Sequence, residues 1–406
     1  MNAAASSFPV HSRAQPRGPV PVLELGFVPE FQLLLACCLD TSGTGRSQRV
    51  QSTVSAGIDW DKMLRLVEHH RLIPRVYEQL SDHDAVSPQF LKALRTRYQT
   101  NARQALWFTS ELVRIVAYFE SRGIDVLPYK GPALASVLYA DVTMRQFGDL
   151  DLLVRTADVS KAKAALLDLG YKNNIQFTER EEKAYLTSGY EYTFNSALGR
   201  NLVELKWQIL PRFYSANFDV DAIFRRAATL SLGGHSLQTL CPEDSLLVLC
   251  IHAAKHAWSQ LSWLCDITQL AKQPLDWSAM ERQTKELGVK RIVAVNFLLA
   301  HKLLGVTLPE MVEKSMRNDR AIENLAAEIM PTILEGTEFN TESIRYFRLM
   351  MKVRERWQDR MRFLWRLAVT PSAGEWSAVQ LPTRMFPFYR LVRMWRLAGK
   401  LFSFGS

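Results

Sequence analysis

The chain of 406 residues has little that marks an extracellular or membrane-spanning protein. Its five cysteines, Cys37, Cys38, Cys241, Cys250 and Cys265, are an odd number with no Cys-x-x-Cys spacing. That excludes a disulfide scaffold and predicts buried, reduced thiols. No apolar run reaches the ~18–20 residues that cross a bilayer; Phe31–Leu39 (FQLLLACCL) is the longest worth checking. Residues 1–25 are rich in Ala, Ser and Pro without a continuous apolar segment, and read as a flexible leader, not a secretory signal. No repeat of fixed period recurs, so a solenoid is not expected. Glycine (19) and proline (17) are at ordinary levels and 48% of the residues are hydrophobic. Collagen-like and wholly disordered chains are thereby excluded. What remains is a soluble, cytoplasmic chain with room for two or three domains.

Charge is what the sequence does have, and it is unevenly placed. The net is +9, yet residues 343–406 alone carry 13 Lys and Arg against Glu355, Asp359 and Glu375. The positive charge therefore belongs to the tail, where Arg345–Arg366 interleaves cations with Tyr346, Phe347, Trp357, Phe363 and Trp365, and Pro387–Phe404 repeats the mixture. The plain reading is helices whose apolar side packs on the domain while the cationic stems snorkel. Contact with a membrane surface is the first alternative and nucleic acid a lesser one, because no DNA- or RNA-binding motif accompanies the charge.

The spacing of apolar residues predicts helices at about 29–40, 60–80 and 88–122, with the Ser/Thr/Gly-rich stretch Thr41–Gly57 as a loop. After Gly123 the texture changes. Ile124–Tyr129 and Leu150–Val154 read as strands, Pro132–Tyr139 and Thr156–Leu169 as helices, and Tyr190–Asn195 with Asn201–Ile209 as a hairpin around Ala197–Gly199. From about 221 onward the pattern is helical, over 243–257, 260–272, 277–286, 288–304, 320–334 and 341–368. The expected fold is α+β. A small mixed-sheet core at 123–215 lies between an N-terminal helical region (26–122) and a C-terminal helical domain (216–340), followed by the basic tail (341–406).

Chemistry concentrates in Gln146–Arg155, QFGDLDLLVR. Asp149 and Asp151 are two apart as a loop enters a strand, so both side chains point to one face. Neighbouring carboxylates repel unless a cation or proton lies between them, and a hard divalent ion such as Mg²⁺ or Mn²⁺ suits oxygen ligands and phosphates. The bland alternative is a solvated strand end. Upstream, Lys130–Gly131 followed by Pro132 gives a strand, a tight turn and a helix N-terminus, a geometry that binds phosphate. Arg145 has the guanidinium for a bidentate phosphate contact. Downstream, Leu202–Trp207 (LVELKW) puts Glu204 and Lys206 on one strand face; if that strand pairs beside the acidic one, Glu204 becomes a third carboxylate. In the helix His252–Asp266, His252 and His256 share a face with Lys255 beside them. The nearby cysteines match no zinc spacing, leaving packing or a polar face toward a ligand.

The run KGPALASVLYADVTMRQFGDLDLLVR resembles the core of the nucleotidyltransferase superfamily that includes DNA polymerase beta and the aminoglycoside nucleotidyltransferases. More narrowly, it is similar to bacterial nucleotidyltransferase family proteins associated with polysaccharide or peptide natural-product gene clusters. The likeness extends over most of 57–305, including His70, Arg71 and Pro74, and more faintly over the tail. It implies Asp149, Asp151 and Glu204 as catalytic metal ligands, and Lys130, Gly131, Arg145, Lys255 and His256 as nucleotide-binding residues. It further implies Mg²⁺ or Mn²⁺ as cofactor, an NTP such as ATP as co-substrate, and a sugar, small molecule or peptide as acceptor. Two departures stand out. The superfamily's Gly-Ser at the phosphate turn is Lys130–Gly131 here, and the His that the narrower group carries two residues after the third acid is Lys206. The rival readings are a catalytically degenerate binding protein, a nucleic-acid-modifying transferase, and a hydrolase using the same carboxylates.

Overall fold

The structure is a computed structural model and describes residues 27–39, 43–175, 177–196, 202–214, 216–337, 340, 343–370, 379 and 383–403. The leader and the turn at Ala197–Gly199 lie outside the described residues. Helices surround a five-stranded mixed sheet and a two-stranded sheet, so the α+β expectation stands.

Four helices come first: α1 (Pro29–Cys38), α2 (Gly43–Ser55), α3 (Trp60–His69) and α4 (Ile73–Leu80). Helix α2 corrects the loop expected there. Val50 and Thr53 are buried and Val54 packs on the same cluster, so one edge at helical spacing finds cover against α1. Tertiary burial thus overrides weak local propensity. The single helix expected over Trp60–Leu80 is two, because Arg71 between them takes a φ of +53°. Helix α5 (Pro88–Ser121) follows, opened by the Ser87 side chain accepting from the Phe90 N–H.

The sheet elements then arrive in chain order: β1 (Val126–Pro128), α6 (Gly131–Tyr139), β2 (Asp149–Val154), α7 (Val159–Asp168), β3 (Tyr171–Asn173), α8 (Glu179–Ser188), β4 (Glu191–Ser196) and β5 (Leu202–Lys206). Strand order is β1-β2-β5-β4-β3. Strand β2 runs antiparallel to β1 and parallel to β5, with Asp151 opposite Glu204. Strand β4 is antiparallel to β5, with Glu191 opposite Lys206.

Alternation decides which face of this sheet carries charge. Leu150, Leu152 and Val154 of β2 join Val203, Leu205 and Trp207 in a cluster with Phe108, Leu112 and Phe119 of α5 and Leu166 of α7. Each such side chain contributes roughly 1.5–3 kcal/mol when buried. A register slip of one residue would exchange them for Asp149, Asp151, Glu204 and Lys206 and is thereby prevented. The polar face is left pointing at the C-terminal helices.

Those begin after α9 (Val220–Arg225) and a hairpin, β6 (Ala228–Leu232) and β7 (His235–Thr239), in a stretch expected to be helical. Gly233 and Gly234 both have positive φ and form its turn. The Thr239 hydroxyl donates to the Pro128 carbonyl at 2.6 Å, bracing β1. Then come α10 (Pro242–Lys255), α11 (Leu261–Leu270), α12 (Trp277–Leu287), α13 (Lys290–Leu304), α14 (Glu310–Asn318) and α15 (Ala321–Glu335). They share one hydrophobic cluster with α1, α3 and α4. The helix expected over 341–368 is two, α16 (Ile344–Lys352) and α17 (Trp357–Val369), and α18 (Tyr389–Ser403) packs on α17. Among the described residues no helix is long and apolar enough to cross a membrane.

Candidate active site

Strand β1 delivers its chain to Tyr129 and Lys130, and Gly131 turns it into α6. Gly131 has φ +55°, and a Cβ there would sit 2.9 Å from the Asp149 carbonyl oxygen. Only glycine satisfies both demands. With Pro132 in its first turn, α6 therefore starts directly against the acidic end of β2.

The polar face of the sheet brings Asp149, Asp151 and Glu204 together, each with a carboxylate oxygen within 4.8 Å of the others'. Asp151 is almost fully buried. Its Oδ1 accepts from the Tyr129 hydroxyl at 3.3 Å and lies 3.6 Å from Lys130 Nζ and 3.4 Å from Lys206 Nζ. Its Oδ2 is buried with no hydrogen-bond partner. Lys206 Nζ also contacts Glu204 and Glu191.

These contacts separate the three acids. Burial alone would raise Asp151, but the Lys130 and Lys206 ammoniums outweigh it and hold the carboxyl down at about 2. Burial, then the charge of Asp151, raises Asp149. Burial is also the main force on Glu204, which is pushed up to about 7, with Asp151 and Glu191 adding repulsion against the pull of Lys206. A proton on Glu204 shared with Asp151, or a cation, answers the unpartnered Oδ2.

Facing this acidic cluster is the end of α10. Lys130 Nζ lies 3.3 Å from His252 Nδ1, and the His252 and His256 rings are 4.7 Å apart, both against Trp263. Burial first and neighbouring cations second push His252 well down and hold His256 at about 3. Burial and Lys206 likewise lower Lys255, to about 8. Near neutral pH this face therefore carries the charge of Lys255 beside two uncharged imidazoles, a set of N–H donors suited to an anion.

The backbone that carries it is held unusually. Ala257 and Trp258 have φ of +51° and +54°. The turn is fixed from three sides: Trp258 Nε1 donates to Asn296 at 2.8 Å, the Leu261 N–H donates to His70 Nδ1 at 3.1 Å, and His69 Nε2 meets the Ser259 carbonyl at 2.9 Å. Backbone strain over-determined in this way clusters at functional sites.

Arg145 is placed differently from the expectation. It is half-buried and gives its Nε to Asp266 at 2.9 Å, and Tyr139 donates to the other oxygen at 2.8 Å. Its charge already has a protein partner, so its first role is to pin the loop before β2 to α11. The cysteines do not join the histidines in a metal site. Among the described residues, the only cluster of three or more His, Cys, Asp or Glu placed to hold a metal is Asp149, Asp151 and Glu204. Glu191 and Tyr129 were missed by sequence reasoning. The alternation through Tyr190–Asn195 carries a signal for Glu191, but its meeting with Lys206 depends on strand register.

A glycine turn into a helix, two carboxylates on one strand, a third on its parallel neighbour and an opposing lysine–histidine face are the parts that phosphoryl transfer calls for. The model of a family of uncharacterised nucleotidyltransferases matches residues 56–305, more than half of the chain, and the protein belongs to that family. The matched span holds every residue of the site and ends before the basic tail. None of the curated proteins and none of the solved structures compared with the chain matches it.

Proposed function

We propose that the protein transfers a nucleoside monophosphate from an NTP, with ATP the first to test, to a hydroxyl or similar group of a sugar, small-molecule or peptide acceptor, releasing pyrophosphate. The observation that carries this reading is the opposition of the two faces: three clustered carboxylates, Asp151 among them buried with an unpartnered oxygen, across from the half-buried Lys255 and His256. A metal-bound triphosphate suits both.

The donor set fits a hard divalent ion. Asp149, Asp151 and Glu204 offer only oxygens, and the buried Oδ2 of Asp151 has no other partner. Bound there, Mg²⁺ or Mn²⁺ neutralises charge developing on the reacting phosphate. The rest of the work falls to the chain. The N-terminus of α6 and Lys130 hold phosphate oxygens on one side, and Lys255 and His256 on the other. Glu204, held beside Asp151 by the β2–β5 register, takes the proton of the acceptor hydroxyl as its oxygen attacks the α-phosphorus. The bond from the α-phosphorus to the bridging oxygen breaks, and pyrophosphate leaves toward the lysine–histidine face. A degenerate binding protein is the second reading, because Lys206 stands within the acidic cluster.

Labelled nucleotides separate these readings. With α-³²P-NTP, Mg²⁺ and a cell extract, label should pass to an extract component, while γ-³²P-NTP should leave its label in pyrophosphate. Phosphate release without a labelled acceptor would mean a hydrolase. Binding with no turnover would mean the degenerate protein.

The tail has its own role in this reading, as a contact with anionic membrane surface. Trp357, Met361, Leu364 and Trp365 form an exposed stripe along α17, and Leu391, Met394 and Trp395 are likewise exposed on α18; the three tryptophans are 70%, 69% and 79% exposed. Asp359, the one acid on these helices, is buried and pairs with Arg362. The exposed charge is thus cationic beside aromatic surface, the pattern of an interfacial helix. Sedimentation with phosphatidylglycerol vesicles should capture the protein, and phosphatidylcholine vesicles should not. Changing Trp357, Trp365 and Trp395 to Ser should weaken capture at least ~10-fold, through lost apolar burial. Capture by nucleic acid in place of vesicles would contradict this assignment.

A further inference from the structure

Lys206 lies inside the carboxylate cluster, not at its rim. The residue is 4% exposed, and its ammonium is held by three acids from three strands: Glu191 of β4, Glu204 of β5 and Asp151 of β2. Sheet register fixes it there, since Lys206 is opposite Glu191 and two residues beyond Glu204 on the same face. The Tyr190 ring flanks the ammonium, 5.5 Å from Nζ to the ring centre.

This position divides the site in two. On one side, Asp151 Oδ1, Glu191 and Glu204 surround the ammonium. On the other, Asp151 Oδ2 has no partner, and among the described residues no salt bridge reaches Asp149. Counted as ionised, the four acids Asp149, Asp151, Glu191 and Glu204 face the ammoniums of Lys130, Lys206 and Lys255, so a single divalent ion is already enough to cancel the surplus negative charge. A second ion would have to displace a buried ammonium from its carboxylates and then leave the cluster overcharged.

Resting on the phosphoryl-transfer reading above, we propose that the site takes one divalent ion, on Asp149, Asp151 and Glu204, and that the Lys206 ammonium fills the place a second ion holds in two-metal phosphoryl-transfer sites. Lys206 is then a built-in cation. Glu191, which no metal-ligand pattern requires, is there to anchor it.

The count of bound ions tests this without reference to turnover. Mn²⁺ titrated into the full chain and followed by electron paramagnetic resonance, with and without α,β-methylene-ATP, should show one ion per chain with the spectrum of an isolated Mn²⁺. Lys206→Ala should bind a second ion and show an exchange-coupled pair, while Lys206→Arg, which keeps the cation, should stay at one. Asp149→Asn should lose the ion. Two coupled ions in the wild-type chain would overturn the proposal and leave the phosphoryl-transfer reading standing. No bound Mn²⁺, or uptake unchanged by Asp149→Asn, would overturn both. The wild-type count decides the matter even if Lys206→Ala fails to fold.

Discussion

Asp149→Asn and Asp151→Asn should each lower nucleotidyl transfer by roughly a thousandfold or more, the several kcal/mol that a bound metal supplies. They should move stability in opposite directions. Asp149 is raised by burial and by its neighbour Asp151. A carboxyl raised on folding costs stability once pH has passed its folded value, so at pH 7 an amide there relieves repulsion. Asp151 is the reverse, because Lys130 and Lys206 hold it at about 2. Its stabilising effect is complete above the ordinary carboxylate range and lost only as pH falls toward 2. Asp151→Asn leaves the buried Lys206 and the half-buried Lys130 short of a counter-charge and should cost on the order of 3 kcal/mol. Thermal unfolding in EDTA checks both signs. A Tm for Asp149→Asn at or above that of the wild type, with Asp151→Asn clearly below it, is the expected result; equal losses would contradict the charge distribution described here.

The second large effect is expected at Gly131. An alanine there must hold φ near +55°, which costs ~1–2 kcal/mol in the left-handed region. Its Cβ would also meet the Asp149 carbonyl at 2.9 Å and push β2 away from α6. A shift of that kind at a metal-binding carboxylate should lower kcat by about a hundredfold. Gly123 is the control, since it has φ +67° but nothing within 4 Å of a Cβ. Gly123→Ala should lose stability and keep kcat. Equal kcat for the two variants would show that the contact with Asp149 does not matter.

The centre of the site was legible because its signals are local. Asp149 and Asp151 share a strand face by simple alternation, and Lys130–Gly131–Pro132 announces a turn into a helix within three residues. Glu204 was legible only on condition that β2 and β5 pair, which is a matter of sheet order. Arg145 shows where local reasoning stops: its chemistry suits phosphate, but its partner Asp266 lies 121 residues away. Glu191 was passed over for the same reason, since only the β4–β5 register brings it to Lys206. In the fold, α2 was concealed by its polar composition, because the cover that makes Val50 a core residue comes from α1. The hairpin at 228–239 did carry a signal in Gly233–Gly234, but its strands are five residues each and lie in a mainly helical stretch.

In the proposed function a single site joins a metal among the carboxylates to a triphosphate that reaches Lys255 and His256. Anomalous diffraction from crystals grown with Mn²⁺ and α,β-methylene-ATP tests it most directly. The account predicts a manganese peak among Asp149, Asp151 and Glu204, with phosphate density running from Lys130 and the start of α6 toward Lys255 and His256. A nucleotide bound elsewhere, or one bound here with no metal at the three carboxylates, would contradict it.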